Sequence, residues 1–128
     1  MVLRLQPEQD LKVTLQQITQ EQGVQAGFIL SAVGSLKQAT LRLAHQDQVS
    51  VFSGYFEIVS LVGSLCLDGL HLHMGLADQQ GQTLGGHVEQ GCLIYTTVEV
   101  MIGISQGHRF RREFDALTGY HELVVESL

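Results

Sequence analysis

The chain has few of the residues that mark secreted, disordered or DNA-binding proteins. Its 128 residues include only two cysteines, one proline, no tryptophan and seven lysines and arginines. Cys66 and Cys92 each stand alone in an apolar run without C-x-x-C spacing, so we expect buried free thiols in a reducing compartment. A hydrophobic content of 45% with a single proline predicts a globular chain.

Long hydrophobic runs and a signal peptide are missing as well. No apolar stretch approaches the ~20 residues of a membrane span. The N-terminus lacks a basic start followed by a long apolar region. These absences predict a soluble, cytoplasmic protein with no membrane partner. The length predicts a single domain, residues 1–128, that can bury its own core.

The charge balance disfavours a nucleic-acid partner. The formal net charge is −6, and the only basic cluster is formed by Arg109, Arg111 and Arg112. Binding to DNA requires lysines and arginines that displace counterions from several phosphates. This chain provides such a face only if several copies assemble around that cluster.

Apolar spacing predicts a β-rich fold with one helix. Leu11, Leu15 and Ile18 recur at helical spacing and predict a helix over residues 9–22. Strand-like runs occupy much of the rest of the chain, at residues 2–6, 26–44, 51–67 and 92–104. The predicted fold class is therefore α+β, with a mostly antiparallel β-sheet and one main helix. A barrel-like closure is one arrangement that such a sheet can adopt.

Residues 71–91 contain three histidines in a pattern that predicts a β-hairpin. His71 and His73 stand two apart in an alternating run, so their imidazoles share one face of a strand. A turn signal follows, and a three-residue loop at 79–81 places His73 opposite His87. A two-residue or four-residue loop would turn His87 to the other face. The same register sets Leu76 against Leu84 and Leu72 against Val88.

Three imidazoles on one face predict a metal site. Directly opposed residues have β-carbons roughly 5 Å apart, so one cation can reach His71, His73 and His87. Three neutral imidazoles suit zinc, and three protein ligands leave a coordination position for water. Nickel, iron and copper are alternatives. The competing interpretation of the same residues is a polar, solvated face without a metal.

Acidic residues in strand-like runs are candidates for proton transfer. Glu57 lies in a run that is apolar on both faces, which predicts a strand covered on both sides. It is either paired for structural reasons or a carboxylate close to the metal that accepts a proton. Glu89 and Glu99 have the same two interpretations. The hairpin register sets Glu89 opposite His71, where it would orient that ring.

An ordered set of motifs runs along the chain: Gly27-Phe28-Ile29 to Gly34-Ser35-Leu36, Phe56-Glu57-Ile58-Val59-Ser60-Leu61-Val62-Gly63, His71-Leu72-His73, and Gly85-Gly86-His87 to Gly91-Cys92. Over essentially its whole length the chain resembles the plants-and-prokaryotes-conserved (PPC) domain. The resemblance implies a homotrimer whose bacterial and archaeal members hold a metal, usually zinc, on histidines that match His71, His73 and His87. A phenylalanine-glutamate strand that matches Phe56-Glu57 recurs in the family.

The resemblance implies two competing functions. Similar folds include acetolactate decarboxylase, a metal enzyme with three histidine ligands, although a shared fold does not transfer an activity. Prokaryotic members are commonly labelled DNA-binding by analogy with plant members, whose AT-hook lies outside the domain. This chain has no Arg-Gly-Arg-Pro hook.

The first hypothesis is a homotrimeric zinc protein that is a metal-dependent enzyme or small-molecule binder. Its metal would polarise a carbonyl or activate water, and Glu57 or Glu89 would carry the proton. The second hypothesis is a DNA-binding or transcription-associated protein-interaction module without catalytic activity. The sequence leaves the reaction and the substrate open.

Overall fold

A computed structural model describes all 128 residues and contains eight strands and one helix. In chain order the elements are β1 (Val2–Leu5), α1 (Leu11–Glu21), β2 (Gly27–Arg42), β3 (Val49–Cys66), β4 (Gly69–Ala77), β5 (Thr83–Val88), β6 (Leu93–Ile104), β7 (His108–Asp115) and β8 (Tyr120–Ser127). Six strands form one sheet in the order β1-β6-β2-β3-β4-β5, and β7 and β8 form a separate hairpin. All pairings between strands are antiparallel, which confirms the predicted fold class.

The large sheet curls back on itself at β2. This strand pairs with β3 on one side and β6 on the other. Its last residues, Leu41 and Arg42, also pair with Val88 and His87 of β5. Strands β2, β3, β4 and β5 thus close a small ring, while β6 and β1 extend the sheet beyond β2. The barrel-like form is a partial ring of strands and not a complete barrel.

Helix α1 packs on the inner face of this sheet. Its N-terminus is capped by Asp10, whose Oδ1 accepts a hydrogen bond from the Val13 N–H at 3.1 Å. Leu11 and Leu15 are fully buried in a core cluster of 19 residues. Apolar residues at this spacing place one stripe of the helix against the strands. The helix is not long and apolar enough to cross a membrane.

The outer face of the sheet is exposed in the single chain. Burial alternates along β3: Phe56 and Ile58 are buried, whereas Glu57 and Val59 are exposed. The expectation that this strand is covered on both sides is therefore wrong for one chain. Large apolar side chains that are exposed on this face include Val33, Tyr55, Val59, Tyr95 and Met101.

Candidate metal centre

The pairing of β4 with β5 sets His73 directly opposite His87. The loop between them has three residues, because the Asp78 N–H donates to the Gln82 carbonyl at 2.9 Å. Gly81 closes the loop at a φ of 79°, a left-handed conformation that glycine adopts without strain. The predicted hairpin register is confirmed over residues 73–77 and 83–87, including the pairing of leucines 76 and 84.

The three imidazoles converge on one point. One ring nitrogen from each of His71, His73 and His87 lies within 4.8 Å of the other two. The Nε2 atoms of His71 and His73 are 3.2 Å apart. The rings meet edge to face or tilted, with centroids 5.0 to 5.5 Å apart. His73 is exposed and the other two are partly buried, so the cluster lies at the surface of the sheet.

Two glycines allow β5 to approach its neighbours at this point. A β-carbon on Gly85 would lie 2.6 Å from the carbonyl oxygen of Met74 in β4. A β-carbon on Gly86 would lie 2.8 Å from the carbonyl oxygen of Arg42 in β2. Both distances are too short for real contacts with backbone atoms. Side chains at these positions would therefore move the strand that carries His87.

The surroundings favour neutral imidazoles. Burial lowers the pKa of His71 below 6.5, and the charge of Arg112 lowers it further, against a smaller opposing effect from Glu122. Burial also lowers the pKa of His87 to about 4, although the carboxylate of Glu89 opposes this. A neutral imidazole is the form that binds a metal. These two imidazoles would therefore need no deprotonation to bind a metal at pH 7.

His87 has one polar atom that the protein leaves without a partner. Its Nδ1 is buried and makes no hydrogen bond. Its Nε2 lies 3.6 Å from Oε1 of Glu89, and Oε2 of Glu89 accepts a hydrogen bond from Nζ of Lys12 at 2.7 Å. A buried nitrogen without a partner is unfavourable, and a bound metal would satisfy it. The donor set and this nitrogen both fit a divalent transition metal.

The placement of Glu89 differs from the predicted one. Its position opposite His71 is wrong, because the ladder between β4 and β5 ends at the pair of histidines 73 and 87. Val88 then pairs with Leu41 of β2 instead of Leu72, and the Glu89 N–H donates to the Thr40 carbonyl at 3.0 Å. The carboxylate consequently faces His87.

Neither Glu57 nor Glu99 is brought to the histidines. Glu57 is exposed on the outer face of β3, where its strand neighbours are Ser35 and Ala77. The β3 residue that pairs with His73 is Val62. It lies five positions along the strand from Glu57, which corresponds to roughly 16 Å. Glu99 is exposed on β6, a strand that does not pair with β4 or β5.

An open cleft of about 920 Å³ lies beside the three imidazoles. The β7–β8 hairpin forms one wall with Arg112, Tyr120, His121 and Glu122, and Arg42 of β2 lines another part. Sequence reasoning missed this wall. It treated Arg112 as a member of a basic cluster and gave His121 no role in the site. His121 is exposed on the rim of the cleft.

Comparison with known proteins identifies the family. The family model of the Plants and Prokaryotes Conserved (PCC, also written PPC) domain matches residues 1–106. The chain belongs to this family. The matched PCC region contains helix α1, the complete six-stranded sheet and the three histidines, whereas the β7–β8 hairpin follows it.

Two curated relatives contain a PCC-like region within a longer protein. The bifunctional protein GlmU of Synechococcus sp. (strain JA-3-3Ab) is 55% identical over 126 residues, which are 98% of this chain and 20% of GlmU. The AT-hook motif nuclear-localized protein 8 of Arabidopsis thaliana is 33% identical over 92 residues, which are 65% of this chain and 24% of that protein. The chain thus spans about a fifth of the length of the first relative and about a quarter of the second.

Solved structures share the PCC fold. A hypothetical protein from Salmonella superposes with a TM-score of 0.96 at 38% identity, over 99% of this chain and 92% of its own. A metal-containing protein from Archaeoglobus fulgidus has a TM-score of 0.83 at 26% identity, over 97% and 91%. A protein from Ralstonia eutropha JMP134, described as a candidate DNA-binding protein, has a TM-score of 0.83 at 19% identity, over 98% and 90%. At that identity it shows the fold alone.

Proposed function

We propose that this PCC domain binds one divalent metal ion, with zinc as the first choice, on His71, His73 and His87. One observation carries the proposal. The three histidines lie on two paired strands, and one ring nitrogen of each lies within 4.8 Å of the other two. Imidazoles suit zinc, and nickel, iron and copper are the alternatives. Three protein ligands leave a coordination position for water or a small ligand. The similar structure from Archaeoglobus fulgidus, which is described as metal-containing, supports the presence of a metal in this fold.

The open cleft beside the ligands favours a metal-dependent enzyme or small-molecule binder over a purely structural metal. A metal with an open coordination position would polarise a bound oxygen of a ligand, or would lower the pKa of a bound water toward ~7. Glu89 is the better candidate for the proton carrier, because its carboxylate lies beside His87 while Glu57 is on a distant part of the sheet. Its ion pair with Lys12 holds the carboxylate at that ring.

Elemental analysis of the purified chain tests the metal site. After dialysis against zinc and removal of the excess, we expect one zinc per chain. His73→Ala removes one of three ligands and should leave less than a tenth of this occupancy. His45→Asn is the matched control, because His45 is exposed in a turn with a φ of 57° that asparagine tolerates. Undiminished zinc in His73→Ala would refute the ligand assignment.

We also propose that the domain assembles as a homotrimer through the outer face of its sheet. Apolar side chains on this face remain largely exposed in one chain: Val33 is 54% exposed and Val59 58%. The rings of Tyr55 and Tyr95 lie 4.6 Å apart on the same surface. An extended apolar surface of this kind indicates a contact with another protein surface. The number of copies follows the resemblance to the family.

Sedimentation equilibrium tests the assembly. We expect a mass three times that of the 14.1 kDa chain. Val59→Asp places a charge in the proposed interface and should shift the mass to that of one chain. Asp47→Asn, in an exposed turn, is the control. A monomer at micromolar concentration in the unaltered chain would overturn the proposal.

We further propose a cytoplasmic location. Cys66 and Cys92 are both free and buried, as suits a reducing compartment. Cell fractionation with an antibody against the chain tests this, and recovery of the chain outside the cytoplasmic fraction would overturn it.

DNA binding, or a transcription-associated protein-interaction role, is the second candidate function. It is supported by the plant relative, whose name includes the AT-hook motif. The basic cluster is not a free basic face in one chain, since Arg111 lies 3.4 Å from Glu113 and 3.2 Å from Glu126. Arg112 lies beside the cleft. Absence of any mobility shift at ~50 mM salt with excess duplex would reject this candidate.

A further inference from the structure

The cleft beside the three histidines contains two guanidinium groups that have no carboxylate partner. Arg42 of β2 and Arg112 of β7 both line it. No carboxylate oxygen lies within 4.0 Å of a guanidinium nitrogen of either residue. The positive charges that face the cleft are therefore available to a ligand.

Each guanidinium is held in place while some of its donors stay free. Nη2 of Arg112 donates to Oγ of Ser64, but its Nε is buried and has no acceptor. The guanidinium carbon of Arg42 lies 5.5 Å from the centroid of the Tyr120 ring, and the side chain makes no hydrogen bond within the protein. A planar guanidinium presents donors in a fork that matches an oxyanion.

The acidic residues of the cleft limit the charge of such an oxyanion. Asp68 and Glu122 also line the cleft, so its walls contain two cationic and two acidic side chains. Oδ2 of Asp68 accepts a hydrogen bond from the Arg112 backbone N–H at 3.1 Å, while Glu122 is exposed. A singly charged carboxylate suits this lining better than a doubly charged phosphate, because it brings less negative charge beside Asp68 and Glu122.

We propose that the cleft binds a small organic carboxylate. Its carboxylate group pairs with Arg112 and Arg42, and a second oxygen of the same molecule takes the open coordination position of the metal. This inference rests on the metal site proposed above. It names the class of substrate or ligand for that site.

Titration of the cobalt-loaded chain with lactate tests the inference. Calorimetry reports binding, and the cobalt absorption spectrum reports whether an oxygen of lactate reaches the metal. We expect saturable binding of one lactate per chain together with a spectral change. Lactamide has the same shape but a neutral amide, so it should bind at least about tenfold more weakly, as for the loss of a charged hydrogen bond.

Arginine variants test the proposed contacts. Arg42→Gln and Arg112→Gln should each weaken lactate binding about tenfold or more with cobalt stoichiometry unchanged. Arg42→Gln is the safer variant, because Arg112 also contacts Ser64 and its loss can affect the fold. Arg109→Gln is the matched control. Arg109 lies on β7, the strand that contains Arg112, but it donates a hydrogen bond to Gln25 and does not line the cleft. This variant should retain the affinities for both cobalt and lactate.

The outcomes separate this inference from the metal proposal. Cobalt uptake without lactate binding, or equal affinity for lactamide, overturns the carboxylate assignment and leaves the metal site standing. Lactate affinity that is unchanged in Arg42→Gln also overturns it. Failure of the folded chain to take up cobalt overturns both proposals. Inorganic phosphate that binds more tightly than lactate, with the same loss in the arginine variants, replaces the carboxylate with a phosphate ligand.

Discussion

Acidification of the metal-free chain should destabilise it through His87. Burial lowers the pKa of this imidazole to about 4 in the folded chain, against 6.5 for the ordinary residue. Between these two pH values the unfolded chain binds a proton that the folded chain does not. The stability that depends on neutral His87 is therefore complete above pH 6.5 and is lost as the pH falls toward 4.

The size of this effect follows from the two pKa values. The difference between 6.5 and about 4 corresponds to about 3 kcal/mol at 1.36 kcal/mol per pH unit. The His87 side chain is 18% exposed, so solvent screens part of the penalty for burying its charge. We expect the free energy of unfolding to fall by about 2 kcal/mol through this one residue between pH 7 and pH 4.

Urea unfolding in the presence of a chelator measures the effect. The unaltered chain and His87→Gln are compared at pH 7 and pH 4 at one protein concentration, so the titration of shared carboxylates cancels. The unaltered chain should lose about 2 kcal/mol more than the variant. His121→Gln, which alters an exposed histidine, should behave like the unaltered chain. Equal losses in the unaltered chain and His87→Gln would refute the reasoning.

Three further changes test the hairpin, the carboxylate beside it and the helix. Deletion of Gln80 shortens the loop to two residues and should turn His87 to the other face of the strand. We then expect zinc analysis to find no stoichiometric metal, although all six histidines remain. Zinc retained at one per chain would contradict the register argument. Glu89→Gln should weaken zinc binding about tenfold in a competition titration with a chelating dye, because it removes the carboxylate beside His87, one of the three proposed ligands. An unchanged zinc affinity would show that Glu89 does not belong to the site. Asp10→Ala should lower the free energy of unfolding by about 2 kcal/mol in urea, since it removes a helix cap and a charged hydrogen bond, whereas Asp47→Ala in an exposed turn should change it little.

The histidine hairpin could be predicted from sequence because everything that determines it is local. Strand alternation put His71 and His73 on one face, and the loop at 79–81 set the register that brought His87 to them. Glu89 could not be placed in the same way. Its strand leaves β4 and pairs with β2, some 45 residues earlier in the chain, and hairpin geometry contains no information about that choice.

The cleft could not be predicted from the sequence, because it also depends on contacts between distant parts of the chain. Arg42 and Arg112 are 70 positions apart in the sequence and meet only because the β7–β8 hairpin folds over the end of the curled sheet. The exposure of Glu57 has a different origin. An apolar run indicates that a strand is buried, but it does not indicate whether the same chain or another copy covers it.

The proposed metal site and the proposed assembly surface lie on the same side of the sheet. Val62 is 56% exposed and pairs directly with His73, so both side chains project from the outer face. An assembly that covers this face would extend to the edge of the cleft and reduce the access of water to the metal. Metal affinity and mass should therefore be measured together in Val59→Asp. A linked loss of both would show that the neighbouring copy supports the metal site, whereas a monomer with unchanged zinc affinity would show that one chain builds it alone.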